Sequence, residues 1–206
     1  MLETIKQQLM NFPVSDCIPD ADSAAVAAAV LLILHGNPDN PWLILTERAK
    51  HLNNHAGEVA FPGGMWDQND GDLLGTALRE TQEEIGLPAS QVKVLGMLPN
   101  ESPQHRNIRV TPFVGWVESP LRLRPDCSEI ASVFDLPLTV LTELNRYEYF
   151  ELGKAAVQLP YIDYQGYKIW GFTLKVMVDM LNITMGAQIK LRYPSRQQLE
   201  KLGYKG

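Results

Sequence analysis

Glu80, Glu83 and Glu84 stand within five positions of one another in RETQEEIGL, residues 79–87, just before Gly86. On a helix turning about 100° per residue, all three fall on one flank, beside a stripe made by Leu74, Ala77, Leu78, Thr81 and Ile85. Like charges one turn apart cost a helix about 0.2–0.5 kcal/mol, and the negative end of the helix dipole disfavours carboxylates further. Such crowding has two readings. The glutamates form a solvated acidic face, or they bind a divalent cation. Hard carboxylate oxygens suit magnesium or manganese, with remaining coordination sites filled by water and substrate phosphates. Spacing alone leaves both open.

The elements that must position these carboxylates can be read on either side. Asp72 is suited to cap the start of the helix, and Gly86 followed by Pro88 stops it. Between Arg48 and Asp72 runs a long segment punctuated by glycine and proline, of a length that is usually functional in a compact domain. It holds one short strand, GEVAF, and then PGG, where Gly63 and Gly64 permit unusual backbone angles and close approach of the chain. Loop, helix and acidic flank form one unit.

Further out, MLETIKQQLMNF reads as a short amphipathic helix with Ile5 and Leu9 on one side, ended by Pro13, and serving as an N-terminal cap or arm. The apolar run at 24–34, the turn formers HGNPDNP and the strand WLILTER together read as a hairpin of central strands. VKVLGML, RVTPFVGWV, IASVFDLP, VQLPYIDY and YKIWGF are further strands, FTLKVMVDMLNI is a second long helix, and SRQQLEKLG a final short one. This mixed order predicts an α+β or α/β layered fold, and the length of 206 residues predicts one domain spanning 1–206.

Composition narrows the class. Hydrophobic residues make up 45% and charged residues 20%, a globular balance. Cys17 and Cys127 lie far apart with no metal-ligand spacing, so neither a disulfide framework nor a zinc site is expected and a reducing, cytoplasmic setting fits. His51 and His55 sit one turn apart, but the intervening asparagines and Gly57 argue against a helical zinc pair. The longest apolar run is about half the roughly 20 residues of a spanning helix, and the opening segment lacks the order of a signal peptide, so no membrane association is expected. A net charge of −6 gives no support to nucleic-acid binding, and an anionic substrate would need arginines or a metal.

The stretch GGMWDQNDGDLLGTALRETQEEIGL resembles the Nudix box: G, five residues, E, seven residues, R-E, an apolar residue, any residue, E-E, any residue, G, then an apolar residue. Arg79, Glu80, Glu83, Glu84, Gly86 and Leu87 match its second half, with Thr81 in the apolar slot. In the first half, the place of the early glutamate falls on Gly71; a one-residue insertion aligns Gly64 and leaves Asp70 or Asp72 as the nearest acid. LTERAKHLNNHAGEVAFPGG also resembles the signature of the coenzyme A diphosphatases through Leu45, Thr46, Arg48, Gly57, Phe61, Pro62, Gly63 and Gly64. Asn53 stands where that signature has a second arginine. The two signatures cover residues 44–87, about a fifth of the chain.

The resemblance implies a Nudix-type α/β/α sandwich with a mixed sheet and a catalytic loop-helix-loop. It implies hydrolysis of the pyrophosphate of coenzyme A or acyl coenzyme A, giving adenosine 3′,5′-bisphosphate and 4′-phosphopantetheine. Mg2+ or Mn2+ would be held by Glu80, Glu83 and Glu84, with Glu83 alternatively outside the direct ligand set or acting as a base. Arg79 would orient the glutamates, and Glu129 is the candidate for a further base or ligand. Gly63, Gly64 and Arg48 would approach substrate, Arg48 as a phosphate contact or else as one half of a surface salt bridge. Arg106 and Arg109 could neutralise a 3′-phosphate, or else are solvated arginines. Two alternatives stay open: a Nudix hydrolase of another nucleoside diphosphate derivative, and a nucleotide-binding protein that keeps the fold without turnover. Apolar C-terminal elements allow a homodimer.

Overall fold

The run AAVAAAVLLIL lacks the alternation of a half-exposed strand because both its faces are buried. In the computed structural model, which describes residues 1–15, 17–19, 24–52, 54–102, 107–152, 157–195 and 198, it forms most of β1 (Val26–Asn37). Ala29, Leu31 and Ile33 enter one apolar cluster, whereas Leu32 and Leu34 enter another on the opposite face. The tight turn at Pro38 and Asp39 returns the chain as β2 (Asn40–Arg48), antiparallel to β1 with Leu34 opposite Leu43. This is the hairpin expected from the sequence.

The two strands stay paired only near the turn. Beyond it they part, and residues 59–65 wedge into the fork: β3 (Val59–Ala60) pairs with β2 and β4 (Gly63–Met65) with β1. The sequence suggested a loop at PGG; backbone pairing with Ala28, Ala29 and Val30 makes it a strand instead. On the other edge of β1 lies β6 (Ile108–Val117), parallel to it, followed by β5 (Val92–Met97), while β7 (Ile130–Pro137) pairs with the far edge of β2. The result is a mixed seven-stranded sheet. A second, three-stranded antiparallel sheet contains β8 (Glu148–Leu152), β9 (Val157–Tyr164) and β10 (Tyr167–Trp170). Strand β8, EYFEL, carries no clean apolar alternation and was not apparent from sequence.

Helices cover both faces of the large sheet. On one side, α2 (Leu73–Ile85) packs Leu73, Ala77 and Ile85 with Leu31, Ile33, Ile44 and Phe113. On the other, α1 (Leu2–Leu9) and α3 (Gly171–Met185) share a core with Leu32, Leu34, Leu43, Leu45 and Val114. Leu2, Ile5 and Leu9 are fully enclosed there, so the first helix is docked into the core. The layered α+β sandwich is as the sequence led one to expect. Among the described residues, no helix is long and apolar enough to cross a membrane. The short helix expected at SRQQLEKLG falls almost wholly outside the described residues.

Candidate active site

Helix α2 is built to end at its carboxylates. Asp72 accepts a hydrogen bond from the Gly75 amide at 2.7 Å, capping the first turn, and Gly86 leaves the last turn at φ 71°, a left-handed conformation open to glycine. The apolar stripe then turns Glu84 partly inward, and exposure rises along the cluster. The side chain of Glu84 is 6% exposed, that of Glu80 21% and that of Glu83 59%.

Burial is the main perturbation of the two inner glutamates. It pushes the Glu84 carboxyl up to about 7, against the opposing pull of the Gly63 amide and the Arg48 charge. Burial also raises Glu80, opposed by Arg79. Both are therefore carboxylates that the low-dielectric surroundings compensate incompletely. Added positive charge would stabilise them.

The fork in the sheet brings the PGG segment beneath these groups. The Gly63 amide donates to Glu84 Oε2 at 3.2 Å. Gly63 has φ 153°, and a Cβ there would collide with the Ala29 carbonyl and Val30; one on Gly64 would run into the Glu80 carboxylate. Glycine is required at Gly63 for the backbone to come this close, whereas a side chain at Gly64 would displace the Glu80 carboxylate. Phe61, immediately before, is buried in the core on the α3 side.

Arg79 gathers the outer carboxylates. Its guanidinium donates to Glu83 Oε2 at 2.8 Å and lies 3.0 Å from Glu80 Oε1. Its Nε reaches Asp70 Oδ1 at 2.5 Å, with a second nitrogen 3.1 Å from Oδ2. Asp70, one of the two acids the motif left open, is the anchor. Its side chain is 3% exposed and also accepts from Thr76 Oγ1 and the Asp67 amide. Hydrogen bonds from Arg79 come first among the causes that hold its carboxyl down to about 2. Gly71 in the glutamate's place hid this role, and only the 3₁₀ turn at Gln68–Asp70, capped by Asp67, sets the side chain in place. Asp72, the other nearby acid, is the helix cap.

Glu129 reaches the same place from a distant part of the chain. Arg48 Nη1 lies 3.5 Å from Glu84 Oε1 and 4.0 Å from Glu129 Oε2, so one guanidinium joins the end of β2, the end of α2 and the start of β7. Arg48, Gly63, Gly64, Arg79, Glu80, Glu83, Glu84 and Glu129 thus form one neighbourhood. Arg109 does not join it through an ion pair among the described residues. It lies opposite Ala27 on β6 and lines a cavity of about 250 Å³ with Cys17, Leu73, Asn100 and Thr111. Arg106 and Asn53 lie outside the described residues. His55, given no catalytic part, pairs with Glu58.

The donor set fits a hard divalent cation: three clustered glutamates, two of them under-compensated in burial, beside a backbone amide and open to solvent at Glu83. As they stand, no three acidic, histidine or cysteine side chains among the described residues are gathered into a ready-made cage. Arg79 occupies Glu80 and Glu83 instead.

Known proteins resemble the chain in sequence and in fold. Residues 25–151 match the NUDIX domain. The chain is 38% identical over 178 residues to the "Uncharacterized Nudix hydrolase NudL" of Yersinia enterocolitica, covering 84% of this chain and 90% of that protein. It is also 38% identical over 157 residues to the protein of the same name from Salmonella paratyphi B, covering 74% and 80%. Among solved structures, the MutT/nudix family protein from Enterococcus faecalis superposes with a TM-score of 0.51 at 15% identity, covering 82% of this chain and 65% of that one, which is a likeness of fold. With its domain, its close relatives and its acidic helix in agreement, the chain belongs to the Nudix hydrolase family, whose members act on nucleoside diphosphate derivatives with the aid of divalent metal ions.

Proposed function

We propose that the protein hydrolyses the pyrophosphate bond of coenzyme A or an acyl coenzyme A in the cytoplasm, releasing adenosine 3′,5′-bisphosphate and 4′-phosphopantetheine. The observation that carries this reading is the meeting of Glu84 and Glu129 on Arg48, beside the PGG segment, since Arg48 and PGG both belong to the stretch LTERAKHLNNHAGEVAFPGG. A water oxygen attacks one phosphorus, the anhydride P–O bond breaks, and the water's proton passes to a carboxylate. Glu129 is the base in this reading, since half its side chain is exposed and it borders the buried glutamates without being enclosed by them.

Glu80, Glu83 and Glu84 would hold Mg2+ or Mn2+, which when bound supplies Lewis-acid neutralisation of the pyrophosphate and lowers the pKa of water. The chain's own residues do the positioning. Asp70 fixes Arg79, and Arg79 fixes the outer glutamates by charge-assisted hydrogen bonds. Arg48, which bridges Glu84 and Glu129, would meet a phosphate oxygen. Gly63 offers a backbone amide within the same wall.

Asn53, in place of the signature's second arginine, favours a second reading in which another nucleoside diphosphate derivative is the substrate. The test is a panel of coenzyme A, acetyl coenzyme A, NADH and ADP-ribose, incubated with manganese or magnesium and resolved by chromatography. Adenosine 3′,5′-bisphosphate from coenzyme A is the expected product. Cleavage of NADH or ADP-ribose alone transfers the assignment to the second reading. No cleavage across the panel contradicts both and leaves a binding protein.

A further inference from the structure

We infer that Asp126, with Ser128, is a positioning residue that sets Glu129 against the end of helix α2; the inference rests on Glu129 serving as the base. The last carbonyls of any helix lack partners inside it. Here the Arg124 amide donates to the Ile85 carbonyl at 2.8 Å and the Asp126 amide to the carbonyl of Glu84 itself at 2.9 Å. The Asp126 carbonyl then accepts from the amides of Glu129 and Ile130, at 3.0 and 2.8 Å. One residue thus bonds to the backbone of Glu84 on one side and of Glu129 on the other. The Ala49 amide closes the ring by donating to the Glu129 carbonyl at 2.7 Å, next to the Arg48 that meets both carboxylates.

Residues 126–129 are all exposed, so no apolar packing holds this loop. Fixing the backbone of each such residue costs conformational entropy, and local side-chain hydrogen bonds are what offset it. Asp126 Oδ1 supplies them, accepting from the Ser128 amide at 2.8 Å and the Ser128 hydroxyl at 2.7 Å. Its carboxylate faces away from the core, so its loss changes the placement of Glu129 and leaves the sheet untouched.

The experiment compares wild type, Asp126→Ala, Asp126→Asn, Glu129→Gln and the Asp126→Ala/Glu129→Gln double variant, on whichever substrate of the panel the wild type cleaves. Misplacing a reacting group by about 1 Å costs on the order of 10²-fold, so Asp126→Ala is expected to lower kcat by about 10- to 100-fold with KM nearly unchanged. Asp126→Asn keeps the acceptor oxygen and is expected to restore kcat to within about 3-fold. In the double variant the alanine should add nothing to the Glu129→Gln loss, because a base already removed cannot be misplaced. Wild-type kcat in Asp126→Ala, or losses that multiply in the double variant, overturns the inference alone. Undiminished turnover in Glu129→Gln removes the base assignment and this inference with it, and an inactive wild type removes the proposed function. Should Asp126→Ala fail to fold, Ser128→Ala carries the same test: a fall in kcat that vanishes in the Glu129→Gln background supports the inference, and wild-type kcat overturns it.

Discussion

Helices α2 and α3 lie on opposite faces of the same sheet and are built to opposite ends. Helix α3 buries Leu174, Val176, Met177, Val178, Met180 and Leu181, an apolar set that packs, with Thr173 and Thr184 as its buried polar residues. Helix α2 buries a narrow stripe, adds Glu84 to it and crowds Glu80 and Glu83 alongside, with Glu83 and Glu84 in the last turn where the dipole opposes them. The face that stabilises the molecule is thus separated from the face that carries the proposed active site. The connection between them is local: Thr173 at the start of α3 donates to the Val59 carbonyl at 2.8 Å, steadying the strand that leads into PGG.

If that division holds, changes on the two faces should dissociate activity from stability. Glu84→Gln is expected to lower turnover by on the order of 10²-fold or more, since metal-borne charge stabilisation amounts to several kcal/mol. Its Tm should equal or exceed that of wild type, because the substitution removes a buried, under-compensated charge at nearly constant volume. A clear drop in Tm would mean that Glu84 also serves stability. Leu181→Ala on α3 should show the reverse pattern. It deletes a fully buried side chain and should cost about 2–5 kcal/mol in urea unfolding, with turnover per folded molecule retained.

Gly63→Ala should affect both properties, because it strains the fork and displaces the amide that meets Glu84. A loss of about 1–3 kcal/mol is expected alongside reduced kcat. Asp70→Asn is a milder test of the Arg79 anchor, expected to cost about 1–2 kcal/mol near neutral pH. The folded carboxyl is held at about 2, whereas in the unfolded chain it titrates near 3.9, so the stabilisation is complete above about pH 4 and lost as pH falls toward 2. The Tm difference between wild type and Asp70→Asn should therefore close over that acidic window. The smallest effect belongs to Asn53→Arg, expected to lower KM for coenzyme A severalfold with little change in kcat; an unchanged KM would make the missing arginine incidental.

Local patterns in the chain were enough to place α2, because its stripe, its Asp72 cap and its Gly86 stop all agree within one segment. The same was true of the β1–β2 hairpin, whose turn formers lie between two apolar runs. Strand β4 was not legible, since glycine carries no strand preference and its pairing depends on a fork opened by residues far away in sequence. The anchoring of Arg79 by Asp70 was also hidden, because it depends on how the inserted turn folds back and not on spacing from Arg79. Glu129 could be named from family resemblance, but its approach to Glu84 through Arg48 is a tertiary fact. Arg109, a 3′-phosphate contact or a solvated arginine by sequence, is exposed on β6 opposite Ala27, at the cavity near the start of α2.

The most direct test of the account is product formation from coenzyme A by wild type and Glu84→Gln, each with manganese, with magnesium and with a chelator. The account predicts metal-dependent adenosine 3′,5′-bisphosphate from wild type, none with chelator, and at most about a hundredth of the rate from the folded variant. Equal rates from the two proteins, or cleavage by wild type that persists in chelator, would contradict it.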